Sequence, residues 1–372
     1  MPRALFTNMK NPLSSLKKTV SYEHARMRQV LTGRLMPPAC IAIELNYDCP
    51  SRCRTCHLWT RHFREVRVDG RSKMTFEQWR ILLDDLAQGG VKSILFGGGE
   101  PFLSADIFRL IREITARGMS GHSFTNGYLI DRQRAEEIVA SGLKSIAFSI
   151  DGSTAPIHDT IRNMPGSFEK AVSAIALIQE CKKRLGSGTP HISINTTISS
   201  CNFDDLVKVP ELASSLRVND VNFLFFSIVD ELTMAATNAA LKERAVTCHS
   251  FSNLPGDLLL SDSQFDRLSA VLDSLRSNAS GVTCTVDPML SKTGRDLLRR
   301  GIFAQTRCNF FWNMSVISPF GDVVPCPMLP EIELGNVKET RFWEIWGGDR
   351  YSALRKKIKK RLFPICGKCC TR

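Results

Sequence analysis

The stretch Cys49-Pro50-Ser51-Arg52-Cys53-Arg54-Thr55-Cys56 stands directly behind a short apolar run, Ile41-Ala42-Ile43-Glu44-Leu45. Three cysteines in a CxxxCxxC spacing put three thiolates on one short loop. Thiolates are the usual protein ligands of iron–sulfur clusters, and a cubane holds four irons. Cys49, Cys53 and Cys56 therefore leave one iron open to a small molecule. A zinc site remains the alternative from this loop alone, with His57 as a fourth ligand.

Working outward, strand-like and helix-like segments alternate from about residue 38. Residues 41–45, 93–96, 121–125, 145–150, 192–198 and 221–228 read as strands. Residues 75–89, 105–117, 131–141, 167–184 and 203–216 carry helical spacing of apolar positions, the first opened by Thr75 as an N-cap. Six such units in this order predict an α/β fold with a parallel sheet and right-handed crossovers, curled into a partial (β/α)6 TIM-like barrel. A site built on it is expected at the C-terminal ends of the strands. After Ile228 the alternation is expected to stop. The chain then divides into a basic extension over 1–34, a core barrel over 35–230, a helical bridge over 231–304 and a small cysteine-rich domain over 305–372.

Further motifs close the successive strands. Gly97-Gly98-Gly99-Glu100-Pro101 follows the second, Thr125-Asn126-Gly127 the third, and Ser149-Ile150-Asp151-Gly152 the fourth. Each read singly is a turn. Together they fall on one rim of a barrel, where a single ligand can touch them all. This constellation, over about residues 38–228, resembles the radical S-adenosylmethionine (radical SAM) superfamily. The resemblance implies a [4Fe–4S] cluster on Cys49, Cys53 and Cys56, with S-adenosylmethionine chelated to the open iron. Its reductive cleavage gives a 5′-deoxyadenosyl radical that abstracts hydrogen from a substrate. It also implies cofactor contacts from Gly98, Gly99 and Glu100, which match the family's GGEP motif, from Asn126, Ser149 and Asp151, and from Arg162 in His158-Asp159-Thr160-Ile161-Arg162. Asn195 on the fifth strand is an additional candidate. Many members carry an aromatic residue just before the third cysteine; here it is Thr55.

The other end of the chain is equally rich in sulfur. A hairpin-like stretch, 314–325, turns at Pro319-Phe320-Gly321-Asp322 and runs into Cys326, and the chain finishes with Cys366-Gly367-Lys368-Cys369-Cys370. This resembles a SPASM or shortened Twitch auxiliary domain. That implies a second [4Fe–4S] cluster on Cys308, Cys326, Cys366 and Cys369, with Cys370 an alternative to Cys369. Four thiolates leave no open iron, which suits electron transfer. A zinc-ribbon-like structural site is the competing reading.

Composition sets the remaining bounds. The 372 residues are 43% hydrophobic and 23% charged, enough for a large core and a small second module. No apolar run reaches membrane-spanning length and the first residues lack a signal-peptide core, so a cytoplasmic location is expected. Thirteen cysteines in a reducing compartment point to metal or redox chemistry. Cys40, Cys181, Cys201, Cys248 and Cys284 lie scattered and read as small buried hydrophobes. The net charge of +12 is concentrated in the first 34 residues and in 355–361 and reads as a solvated helix face, with a polyanion-binding patch as the alternative.

The expected reaction is oxidation or another modification of an unactivated C–H position in a small molecule. Maturation of a ribosomally made peptide is the first alternative, and a flavodoxin- or ferredoxin-type protein is the expected electron donor. The rival from another class is a non-enzymatic zinc protein that binds nucleic acid, for which GGGEP and the barrel order have no use. No catalytic acid or base stands out; His122, Lys92 and Glu231 are pocket candidates only.

Overall fold

The computed structural model describes residues 35–56, 58, 71–225, 227, 229–242, 256–287, 290, 293–304 and 306–369. Seven parallel strands form its centre: β1 Cys40–Glu44, β2 Ser93–Gly97, β3 Ser120–Thr125, β4 Ser145–Ser149, β5 His191–Ile198, β6 Asp220–Phe225 and β7 Thr283–Val286. Each pairs with the next in order. Three more strands, β8 Met314–Ile317, β9 Asp322–Val324 and β10 Gly335–Asn336, extend the sheet beyond β1, in the order β10-β9-β8-β1-β2-β3-β4-β5-β6-β7.

The helices between strands bury one apolar stripe each. Helix Phe76–Gln88 opens with a Thr75–Gln78 capping box and buries Trp79, Leu82, Leu83 and Leu86. That is an i, i+3, i+4, i+7 face, each side chain contributing about 1.5–3 kcal/mol of burial. Helix Ile107–Ala116 buries Ile107, Leu110, Ile111 and Ile114 in the same rhythm. Along β1, Ile41 and Ile43 are buried among these side chains, while Ala42 and Glu44 are only half-buried on the opposite face.

Two expectations need correction. The alternation does not stop near residue 230: helix Asp262–Arg276 leads into β7, which pairs with β6 through Asp220↔Thr283 to Phe223↔Val286. Thr283-Cys284-Thr285-Val286 is too short for its period to stand out in sequence, so a segment read as a helical bridge carries a seventh parallel strand. The segment 203–216 is not one helix. A 3₁₀ stretch over Phe203–Lys208 precedes helix Val209–Ser215, and Pro210 sits in the first turn of the latter, where a missing N–H costs nothing.

The C-terminal module is continuous with the barrel sheet. β8 runs parallel to β1, from Cys40↔Met314 to Ile43↔Ile317, and turns back through Gly321 into antiparallel β9. Gly321 takes a φ of +92°, where a side chain is strained and a Cβ would press on Asn336. The module also grips the first barrel helix. Trp343 Nε1 donates to the Asp85 carbonyl at 2.8 Å, Arg341 pairs with the Asp85 carboxylate, and the Trp343 ring lies against Gly89, where no Cβ would fit. Among the described residues no helix is long and apolar enough to cross a membrane.

Candidate active site

β1 delivers the chain into Asn46-Tyr47-Asp48 and then the cysteine loop. The loop is held by the GGGEP turn behind β2. Gly99 N–H donates to the Asn46 carbonyl at 2.7 Å, Glu100 N–H to the Asp48 carbonyl at 2.8 Å, and the Asn46 amide to the Glu100 carbonyl at 3.2 Å. A Cβ on Gly99 would overlap the Asp48 carbonyl, and one on Gly98 (φ +94°) the Asn46 carbonyl. Both glycines are thus required by the approach of the cysteine loop itself. Gly97 has open space at its Cβ position.

Glu100 is buried and turned toward β3. Its carboxylate accepts from Phe102 N–H (3.2 Å), Thr125 Oγ1 (3.0 Å) and Asn126 N–H (2.8 Å). Burial pushes its pKa up to about 7, against those three donors. In this position it sets the Thr125-Asn126-Gly127 turn, and Asn126 Nδ2 then points at the Cys49 sulfur at 3.6 Å.

Arg162 reaches the loop from the far side. Its Nη1 lies 3.7 Å from Cys53 Sγ and its Nη2 2.8 Å from the Asp151 carboxylate. Burial acts to lower its pKa, but Asp151 and the Cys53 and Cys56 sulfurs hold it above the ordinary arginine range. Asp151 is fully buried. Its other oxygen accepts Thr197 N–H at 2.8 Å, its own N–H donates to His158 Nδ1 at 3.2 Å, and Asn202 Nδ2 donates to its carbonyl at 2.8 Å. The loop backbone is fastened to the same helix, Ala155–Arg162, by Arg54 N–H to the Ile161 carbonyl at 2.9 Å.

Two of the expected contact residues, Glu100 and Asp151, therefore spend their carboxylates on the protein. Asn126 and Arg162 reach the cysteine sulfurs, and Ser149 closes β4 opposite Asn195 of β5, whose side-chain carbonyl accepts from Asn222 at 3.0 Å. Sequence reasoning missed Asn46, Asn202 and Asn222, for which no motif gives a signal. It placed His158 only within the Arg162 motif; burial lowers that imidazole to about 3, keeping it a neutral acceptor for Asp151 N–H. Of the pocket candidates, His122 is buried with Nδ1 2.7 Å from Ser145 Oγ, while Lys92 and Glu231 are exposed.

The residues fit a cluster with a chelated cofactor. Burial and mutual repulsion push the Cys49 thiol up to about 11 and the Cys56 thiol to about 12, so three thiolates here call for a cationic partner. Beside them the Arg162 Nε is buried without a hydrogen-bond partner, a donor left for a carboxylate. Among the described residues no three side chains are spaced to hold a single metal ion. Zinc gathers its sulfurs about one point, whereas in a cubane each cysteine takes a different iron.

The C-terminal cysteines form a second cluster of sulfurs. The charge of Cys326 is opposed by Cys308, Cys366 and Cys369 together; burial first, then these neighbours, raise it well above the ordinary thiol range. Cys366 is pushed to about 12 and Cys308 to about 11 in the same way. Cys370, like His57, Cys248 and residues 1–34, lies outside the described residues.

This geometry meets the comparisons with known proteins. Residues 43–198 match the profile of the radical SAM superfamily, and residues 308–370 that of the SPASM iron–sulfur cluster-binding domain. The chain belongs to the radical SAM superfamily and carries a C-terminal SPASM domain. It is an enzyme with a [4Fe–4S] cluster, S-adenosylmethionine and auxiliary iron–sulfur binding as its cofactor set. Among its relatives is an AdoMet-dependent heme synthase of Oleidesulfovibrio alaskensis, 27% identical over 84% of this chain and 76% of that one. Another is a PqqA peptide cyclase of Granulibacter bethesdensis, 25% identical over 84% and 74%. In fold it resembles Streptococcus suis SuiB bound to its precursor peptide SuiA, with a TM-score of 0.64 at 14% identity, covering 95% of this chain and 76% of SuiB.

Proposed function

We propose that this enzyme oxidises or otherwise modifies a C–H position of a small molecule, with Cys49, Cys53 and Cys56 holding the reactive cluster. When bound, the cluster and S-adenosylmethionine supply the hydrogen-abstracting radical. The chain's own residues position and shield it. Asn126 Nδ2 and Arg162 Nη1 stabilise the Cys49 and Cys53 thiolates by charge-assisted contact. The Arg162 Nε would take the cofactor carboxylate, and the open edge at Gly97 would take its ammonium. Ser149 and Asn195 complete the polar rim toward the ribose. Asp151 and Glu100 act as positioning residues, one for Arg162 and one for Asn126. The observation that carries this reading is the convergence of Asn126 and Arg162 on two of the three loop sulfurs.

Cys308, Cys326, Cys366 and Cys369 hold the auxiliary cluster, an electron acceptor for the substrate radical. The core barrel extends through β7, ahead of a short connection to the auxiliary domain. A flavodoxin or ferredoxin supplies the first electron, and the cytoplasm is the compartment such chemistry suits. A peptide substrate is the second reading, favoured by the similarity to the PqqA peptide cyclase. The test is 5′-deoxyadenosine release by reduced, anaerobically reconstituted protein given tetrapyrroles, other small metabolites or peptides in separate arms. Release that rises with a small metabolite supports the first reading, and with a peptide the second. Cys53→Ala must abolish release; a Cys53→Ala protein that retains full iron and still cleaves the cofactor overturns the assignment.

A further inference from the structure

Helix Asp349–Lys360 carries the basic run near the C-terminus, and one member does not face solvent. Arg355 is 6% exposed. Its guanidinium is stacked 3.8 Å from the Tyr351 ring centroid and 4.1 Å from that of Trp346. Its Nε donates to the Phe311 carbonyl at 2.9 Å and its Nη1 to the Trp346 carbonyl at 2.6 Å. Its Nη2 is buried with no partner, and no carboxylate pairs with it among the described residues. Burial pulls its pKa down to about 10, so it remains a cation at neutral pH.

A buried cation without a counter-ion is costly, and cation–π stacking offsets only part of that. The carbonyl it binds belongs to a turn, Phe310–Asn313, that starts two residues after Cys308, and the N–H groups of Phe310 and Phe311 donate to the Cys308 sulfur. Phe311 thus has its N–H on a cluster ligand and its carbonyl on Arg355. The Tyr351 ring lies on the other side, close enough for the Cys308 and Cys326 charges to act on its phenol. Through the Phe311 peptide the guanidinium is linked to the four-thiolate site that begins at Cys308, three residues earlier in the chain.

We infer that Arg355 is a positioning residue for the auxiliary cluster: its unpaired charge, and the Phe311 peptide it polarises, raise that cluster's reduction potential. A cubane on four thiolates is anionic in both redox states and more so when reduced, so a fixed cation favours the reduced state. The cluster becomes a better acceptor of one electron from a substrate radical. This inference rests on the reading of Cys308, Cys326, Cys366 and Cys369 as ligands.

The test uses full-length protein in which Cys49, Cys53 and Cys56 are all replaced by alanine, so that only the auxiliary site can load. Its midpoint potential is read by EPR-monitored redox titration, with arginine, glutamine or lysine at position 355. Arg355→Gln is expected to lower the potential with iron content unchanged, and Arg355→Lys to stay near the parent. An unchanged potential in a fully loaded Arg355→Gln protein overturns the inference. If the glutamine variant does not fold, the lysine variant decides: a potential near the parent's supports the charge effect, and a marked fall assigns it to packing and overturns it. A triple-alanine parent with no iron overturns the auxiliary cluster itself.

Discussion

The Glu100 carboxylate works inside the protein. The GGEP resemblance implies backbone groups offered to a ligand's ammonium, and the side chain itself is buried behind β2 and spent on Phe102, Thr125 and Asn126. Its pKa of about 7 lies above the ordinary 4.5 of the unfolded chain. Between those values the folded protein keeps a proton that the unfolded chain has released. Stability is therefore fully present below about pH 4.5, falls as pH rises through 7, and levels off beyond. The total is at most about 3 kcal/mol. Urea midpoints of the protein and of Glu100→Gln, compared across this range, should diverge in slope: the variant lacks this fall. Equal slopes would show that Glu100 stays ionised throughout. Arg355 departs from expectation differently. Read within a solvated basic face, it is buried, while Lys356, Lys359 and Lys360 of the same helix are exposed. Charge alone hides the inward turn; Tyr351 and Leu354 mark the buried stripe, and Arg355 borders it.

At the scale of elements, the cysteine loop and the glycine turn form one unit. Gly99→Ala places a methyl group on the Asp48 carbonyl and should push the loop away from β2. The expected result is loss of the first cluster with the second retained, about four irons in place of about eight. Iron analysis with EPR of the reduced protein checks this, and a variant that loads both clusters fully would show that the turn tolerates the displacement. Much at this scale was legible beforehand. Strands β1 to β6 and helix Ser167–Arg184 follow from apolar period, and the cysteine loop, the glycine turn and the hairpin 314–324 from motif and turn chemistry. What escaped was set by tertiary pairing. β7 has four residues and is defined by its register on β6, and Asn202 serves Asp151 from the short turn after β5, which carries no pattern. The pairing of β8 with β1 is likewise invisible in either strand alone.

For the whole molecule, that pairing makes the two cluster-bearing regions parts of one sheet. β1, which leads to Cys49, is flanked by β2 on one side and β8 on the other, and β9 leads directly to Cys326. Removing residues 305–372 would bare the β1 edge together with the apolar face that Trp343 and Trp346 cover. An isolated 35–304 fragment is expected to aggregate, an exposed edge being a template for strand addition. Size-exclusion chromatography checks it; a stable monomer would mean that the barrel is self-sufficient. The same neighbour relation bears on biogenesis. The strand that emerges early from the ribosome cannot gain its second partner until residues 314–317 have been synthesised, which gives the domain a contact of very long range. The β1 edge is therefore closed late, after the stretch from Gly98 to Asn202 that holds the cysteine loop has already been made.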